Sequence, residues 1–220
     1  MKRVLAAAIV LAMVAGFAEP SVGAARKPAP PTWEGMKRVD RPGLDTVYVR
    51  EGVTLSKYTR VMLDPVEVSF DKNWNPRRGL GGLDTADPQA IRKDLAALAR
   101  KVFRRVLEKK GGYPLVEEAG DDVLRVRAQI VDLYINAPET NSSAITRTYV
   151  VDAGEMTLVA ELYDSQTNAL IARVVDRERG LDRGLNELQI ANRVTNTAEA
   201  DRIISSWARR LRTALDKARS

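Results

Sequence analysis

The segment DPQAIRKDLAALARKVFRRVLEKK, Asp87 to Lys110, decides how the rest of the chain is read. Ile91, Leu95, Leu98, Val102 and Val106 recur three or four positions apart, so they share one face of a helix. Asp87 predicts an N-cap, Pro88 fits the first helical position, where a missing N–H costs nothing, and Gly111–Gly112 predicts the stop. The opposite face carries Arg92, Lys93, Arg100, Lys101, Arg104, Arg105, Lys109 and Lys110. One stripe asks for a core and the other faces water or a partner.

Working outward, the segment from about Thr197 to Ala218 predicts a second helix. Ala200, Ile203, Ile204, Trp207, Leu211 and Leu215 form its apolar stripe, and Asn196 with Glu199 has the spacing of a capping box. Elsewhere the period drops to two. Thr46–Arg50 and Arg60–Phe70 predict strands, the second interrupted by Pro65, which cannot donate to a ladder and marks a bulge or an edge. Asp122–Asn136 predicts the longest strand. Its apolar positions are even-numbered from Leu124 to Ile130, then odd from Val131 to Ile135, which implies a bulge near Ile130–Val131 or burial on both faces. Met156–Leu162 and Leu170–Val174 predict a hairpin around Asp164–Asn168, with Asp176–Arg179 as its protruding charged end. The expected fold is a single α+β domain: a mostly antiparallel sheet of about five strands with the two amphipathic helices packed on one face. About six apolar side chains per helix, at roughly 1.5–3 kcal/mol each, outweigh surface ion pairs of a few tenths, so the stripes are core and not cofactor boxes.

Residues 1–24 read as a secretory signal peptide. Met1-Lys2-Arg3 is followed by an uncharged run from Val4 to Ala18, too short to span a bilayer, and by Val22-Gly23-Ala24 at the expected cleavage site. Cleavage after Ala18 is the alternative. Residues 25–45 hold Pro28, Pro30, Pro31 and Pro42 and read as a tether to a domain at 46–220, with Trp33 and Met36 able to dock on it. Cleavage removes Lys2, Arg3 and Glu19, so the formal charge of +6 falls to +5. A moderate positive charge on an exported protein points to anionic envelope components and not to nucleic acid.

The 220 residues contain no Cys and no His. Disulfides, a thiol nucleophile, a lipid-accepting cysteine, Ser–His–Asp and Cys–His catalysis and zinc hydrolysis are thereby excluded. An enzyme would depend on carboxylates, Lys, Tyr or Ser. Gly79-Leu80-Gly81-Gly82 lacks both the Gly-Lys-Ser/Thr ending and the dinucleotide spacing, and reads as a flexible loop. Glu117–Glu118 and Asp121–Asp122 are sequence neighbours, which point to opposite faces of a strand and make no acid/base couple. No spacing matches a calcium loop, and Asn141-Ser142-Ser143 has meaning only in a eukaryotic secretory pathway. No catalytic residue, cofactor or metal is expected.

Ser56-Lys57-Tyr58, Asp64-Pro65-Val66 on a strand, Asp122-Val123-Leu124-Arg125-Val126-Arg127-Ala128 and Trp207-Ala208 on the last helix carry a resemblance. Together with the helix between them, they resemble the bacterial domain of unknown function 3313, from about Tyr48 to Asp216. The resemblance implies an exported or lipoprotein component of the Gram-negative envelope and carries over no catalytic residue. The missing acylated cysteine departs from the lipoprotein members and favours a soluble periplasmic form that is not lipid-anchored.

The functional expectation rests on Arg100, Lys101, Arg104, Arg105 and Lys109. These residues would contact an anionic envelope component or another envelope protein, and a peripheral membrane contact is compatible with them. Arg100–Arg104, Lys101–Arg105 and Arg105–Lys109 are like-charge pairs at i, i+4, each costing a few tenths of a kcal/mol. The competing explanation is the helix dipole. Both helices place acids early and bases late, with Glu199 and Asp201 preceding Arg209, Arg210, Arg212 and Lys217 in the second. The leading expectation is a non-catalytic binding or scaffolding component of the envelope. The alternatives are a carboxylate- or Ser/Tyr-dependent hydrolase and a structural subunit that oligomerises through sheet edges.

Overall fold

The computed structural model describes residues 29–74, 87–135, 149–150, 154–179, 189–190 and 193–220. The stretch read as a signal peptide, 1–24, the Gly79–Gly82 segment and the Asn141 sequon lie outside the described residues. The elements in chain order are β1 (Thr32–Trp33), β2 (Met36–Val39), β3 (Thr46–Val49), β4 (Arg60–Leu63), β5 (Glu67–Phe70), α1 (Pro88–Leu107), β6 (Val123–Tyr134), β7 (Tyr149–Val150), β8 (Glu155–Asp164), β9 (Leu170–Arg179), β10 (Gln189–Ile190) and α2 (Arg193–Arg219).

The local signals around α1 operate as read. The Asp87 carboxylate accepts from the Gln89 N–H at 2.9 Å, and Leu95, Ala99, Val102, Phe103 and Leu107 are the buried residues of the helix. Past its end Gly111 takes φ 73°, which glycine adopts without penalty, and the Tyr113 N–H returns to the Leu107 carbonyl at 2.8 Å. Gly112 is required by proximity: a Cβ there would lie 1.9 Å from the Leu107 carbonyl oxygen. Gly112→Ala must push the helix terminus away, and urea unfolding should register a loss of about 2–3 kcal/mol.

The sheet is α+β in class, as expected, but larger than five strands. Eight strands run in the order β1-β2-β3-β9-β8-β6-β4, with β5 also on β6, and β7 pairs with β10 in a separate antiparallel ribbon. It is mostly antiparallel. The exceptions are β4 and β5, which lie in line along one side of β6 and pair with it in parallel. Parallel neighbours need a long crossover, and α1 occupies the chain between β5 and β6. Pro65 falls in the gap between β4 and β5, while the Asp64 N–H continues the ladder to the Val126 carbonyl at 3.0 Å. The edge reading of that proline is therefore right.

Three other expectations change. Within the stretch read as a tether, 25–45, β1 and β2 form a hairpin on β3, and Met36 has no exposure at all. The parity slip in β6 is real, but its irregularity lies between Val131 and Tyr134, where Asp132 takes φ 51° and Leu133 returns to the core. Asp176–Arg179 does not protrude; it pairs with β8, and Asp176 is 3% exposed. In addition α2 begins at Arg193, so Asn196 lies inside it and not at its cap, and Glu199 instead bonds Arg202 at 2.9 Å.

One core joins the layers. Leu124, Val126, Ala128 and Ile130 of β6 and Met156, Leu158, Ala160 and Leu162 of β8 pack with the buried stripe of α1 and with Ile203, Ile204, Trp207 and Leu215 of α2. Both helices serve one core, as expected. Strand alternation turns the intervening residues to the other face. There Arg127 stands opposite Glu161, and Glu161 opposite Arg173, as a charge ladder across three strands.

Candidate functional site

The five cations singled out, four on α1 and Lys109 just past its end, divide into two groups. Arg105 points at α2 and forms a forked ion pair with Asp201, at 3.1 and 2.7 Å, with a further bond to Ser205 Oγ at 2.9 Å. That pair holds the Asp201 carboxyl below its ordinary range, chiefly through the Arg105 hydrogen bond. Arg100 turns the other way, to the Glu117 carboxylate and to the Leu63 carbonyl at 3.4 Å. Lys101, Arg104 and Lys109 remain exposed. Arg104 comes no closer than 4.0 Å to Glu108, and neither Lys101 nor Lys109 makes a salt bridge with a described residue.

α2 adds to this surface. Arg209 is exposed and also lacks a described carboxylate partner. Helical spacing alone gave it a dipole role; its position one turn beyond Ser205, the residue that meets Arg105, puts it on the α1 side of its helix. Arg212 does something different. Its guanidinium donates to the carbonyls of Val106, Lys109 and Lys110 at 2.9, 3.0 and 3.2 Å, closing carbonyls at the end of α1 that the helix itself leaves open. The end of α1 is thus capped by a cation, which adds to the positive charge around Lys109.

The distribution of charge is uneven. Residues 87–110 hold eight Lys/Arg against three Asp/Glu, and residues 193–220 hold seven against three. The two helical segments therefore carry +9 in a chain whose formal charge is +6, and all other residues together carry −3.

The remaining ionic chemistry is structural. Asp164, at the turn between β8 and β9, accepts from Lys57 Nζ at 2.6 Å, Tyr58 OH at 3.0 Å and the Thr167 N–H at 2.9 Å. The Lys57 bond and then the Thr167 N–H hold its carboxyl well below the usual carboxylate range, while burial raises the Tyr58 phenol. Asp64 takes Arg125 Nε on both oxygens at 3.0 Å, with Arg127 at 3.7 Å. Asp176 accepts from Trp207 Nε1 and Arg210 at 2.8 Å each and from the Asp45 N–H at 3.0 Å. Asp122 is bonded by Arg60 and Thr59, which depress its carboxyl in that order. Tyr58 is 2% exposed, and its hydroxyl is engaged by Asp164. The motif residues Lys57, Tyr58, Asp64, Arg125, Arg127 and Trp207 thus belong to clamps that join distant segments.

The model of a family described as "Protein of unknown function (DUF3313)" matches residues 32–211. No curated protein matches the chain. Among solved structures, the chain is similar to the PelC dodecamer from Paraburkholderia phytofirmans, with 11% identity and a TM-score of 0.38 over 76% of this chain and 96% of that one. It is also similar to protein XCC0632 from Xanthomonas campestris, with 10% identity and a TM-score of 0.39 over 70% and 81%. The hypothetical protein CT253 from Chlamydia trachomatis gives 11% identity and a TM-score of 0.38 over 71% and 98%.

Proposed function

Since the chain belongs to this family of unknown function, we propose that it is a non-catalytic binding or scaffolding component of the bacterial cell envelope, exported to the periplasm and held to an anionic partner through its helices. The observation that carries the reading is the concentration of charge: +9 on the two helical segments against −3 on all other residues. Such a distribution raises the local concentration of anionic partners and orients their encounter. Export is supported by the pattern of residues 1–24. Among the described residues no helix is long and apolar enough to cross a membrane.

A non-catalytic role is supported by the carboxylates themselves. Asp64, Asp122, Asp164 and Asp176 each accept hydrogen bonds from side chains or backbone of the same chain. A general acid or base must instead reach a proton on a substrate.

The contact surface is Lys101, Arg104 and Lys109, with Arg100 and Arg105 holding the helix in place beside them. The test follows that division. In-cell crosslinking should capture a partner with the wild-type protein and lose it with Lys101→Gln, Arg104→Gln and Lys109→Gln combined, while the stability of that variant stays within about 0.5 kcal/mol of wild type. Arg105→Ala should instead cost about 1 kcal/mol of stability through its lost ion pair. Unchanged capture by the triple variant would reject the helix surface.

A further inference from the structure

We infer that the partner is an anionic phospholipid surface, and that the protein lies on it with the layer of α1 and α2 against the headgroups and the charge-ladder face of the sheet turned away. This rests on the proposed function and names its partner. The exposed cations Lys101 and Arg104 of α1, Lys109 just past its end and Arg209 of α2 come from neighbouring segments joined by the Arg105–Asp201 pair. They are distributed over two helical segments, at positions 101, 104 and 109 of one and 209 of the other. A single small anion is held by donors converging on it, usually including backbone N–H groups or a forked guanidinium. Here the forked guanidinium of Arg105 is taken by Asp201 and that of Arg212 by carbonyls. Of the cations left over, Arg104 has only the long contact to Glu108 at 4.0 Å, and Lys101, Lys109 and Arg209 form no salt bridge with a described residue, an arrangement suited to a surface whose charge is itself spread out.

The sheet face opposite has the reverse character. Arg125 and Arg127 are held by Asp64, and Arg173 by Glu161 at 2.7 Å, so its charges are neutralised within the chain. Arg173 also lies over the Trp33 ring at 4.2 Å and Arg127 over the Tyr163 ring at 5.2 Å. An anionic bilayer therefore meets an attractive helix layer and a neutral sheet. Each basic residue near such a surface contributes roughly a fivefold gain in binding, and the attraction fades over a Debye length.

The test is co-sedimentation of the purified protein with vesicles of phosphatidylcholine alone or mixed with phosphatidylglycerol. Binding is expected to the mixed vesicles only, and to weaken as salt rises from low to physiological levels. K101E/R104E should weaken it at least about 25-fold. K37E/R38E, which makes the same change in net charge on β2, should bind within about threefold of wild type. Equal losses in the two variants would mean that net charge and not the helix surface is read, and would overturn the orientation. Absence of wild-type binding at low salt would overturn the lipid assignment. If partner capture in cells still depended on Lys101 and Arg104, the proposed function would survive that result; if capture were insensitive too, both would fall.

Discussion

Trp207→Ala is expected to lower the unfolding free energy by about 4–5 kcal/mol, near the upper end for a single core substitution. The indole is 3% exposed and belongs to the core that both helices share. Its removal opens a cavity between α2 and the sheet, and a second consequence adds to the first. Trp207 Nε1 donates to Asp176 at 2.8 Å, and Asp176 is itself buried. Without the indole, one donor to a buried carboxylate is lost, although Arg210 and the Asp45 N–H remain. Trp207→Phe separates the two effects. It keeps most of the apolar contact and removes only the donor, so its loss should be about 1–3 kcal/mol. Chemical denaturation of both variants checks this. Equal losses would mean that the hydrogen bond contributes everything and packing nothing.

Why some of this was legible in the sequence and some not follows from the range of each interaction. Asp87, Pro88 and the spacing of Leu95, Val102 and Val106 act within a few residues of one another, so α1 could be read where it forms. The hairpin at 155–179 was equally local, with Asp164 and Thr167 making its turn. The β1–β2 hairpin was missed because a Pro-rich segment resembles a tether until β3 offers it an edge and a place for Met36. Residues Asp176–Arg179 looked like a solvated end because their charges are evident in the sequence, whereas Trp207 and Arg210 meet Asp176 from more than 30 positions away. The same holds for the candidate site. The cations of α1 were evident, but which of them were engaged depended on Asp201 and Glu117, reached only through the fold. Sequence therefore located the cations but not the ion pairs that engage Arg100 and Arg105.

Asp164→Ala should cost about 3–4 kcal/mol, which for a chain of this size lowers the melting temperature by roughly 6–16 °C. The carboxylate is the common acceptor for Lys57, Tyr58 and Thr167, and its side chain is 10% exposed. Truncation leaves the Tyr58 hydroxyl buried without its acceptor and frees the turn that Asp164 organises by accepting from the Thr167 and Gln166 N–H groups. The pH dependence gives an independent check. Because the folded carboxyl titrates well below its ordinary value of 3.8, the folded state favours the ionised form. Its contribution is therefore complete above the unfolded pKa and is lost as pH falls from about 5 through 4 and below. Asp201, also depressed, adds a loss of the same sign. Wild-type stability should accordingly decline on acidification, and the decline should be shallower in Asp164→Asn, which has no proton to take up at that position. Parallel acid profiles for the two proteins would show that the Lys57–Asp164–Tyr58 clamp does not control the acid limb. A steeper wild-type profile would identify it as one of the ionic ties that hold Lys57 and Tyr58 to the β8–β9 turn.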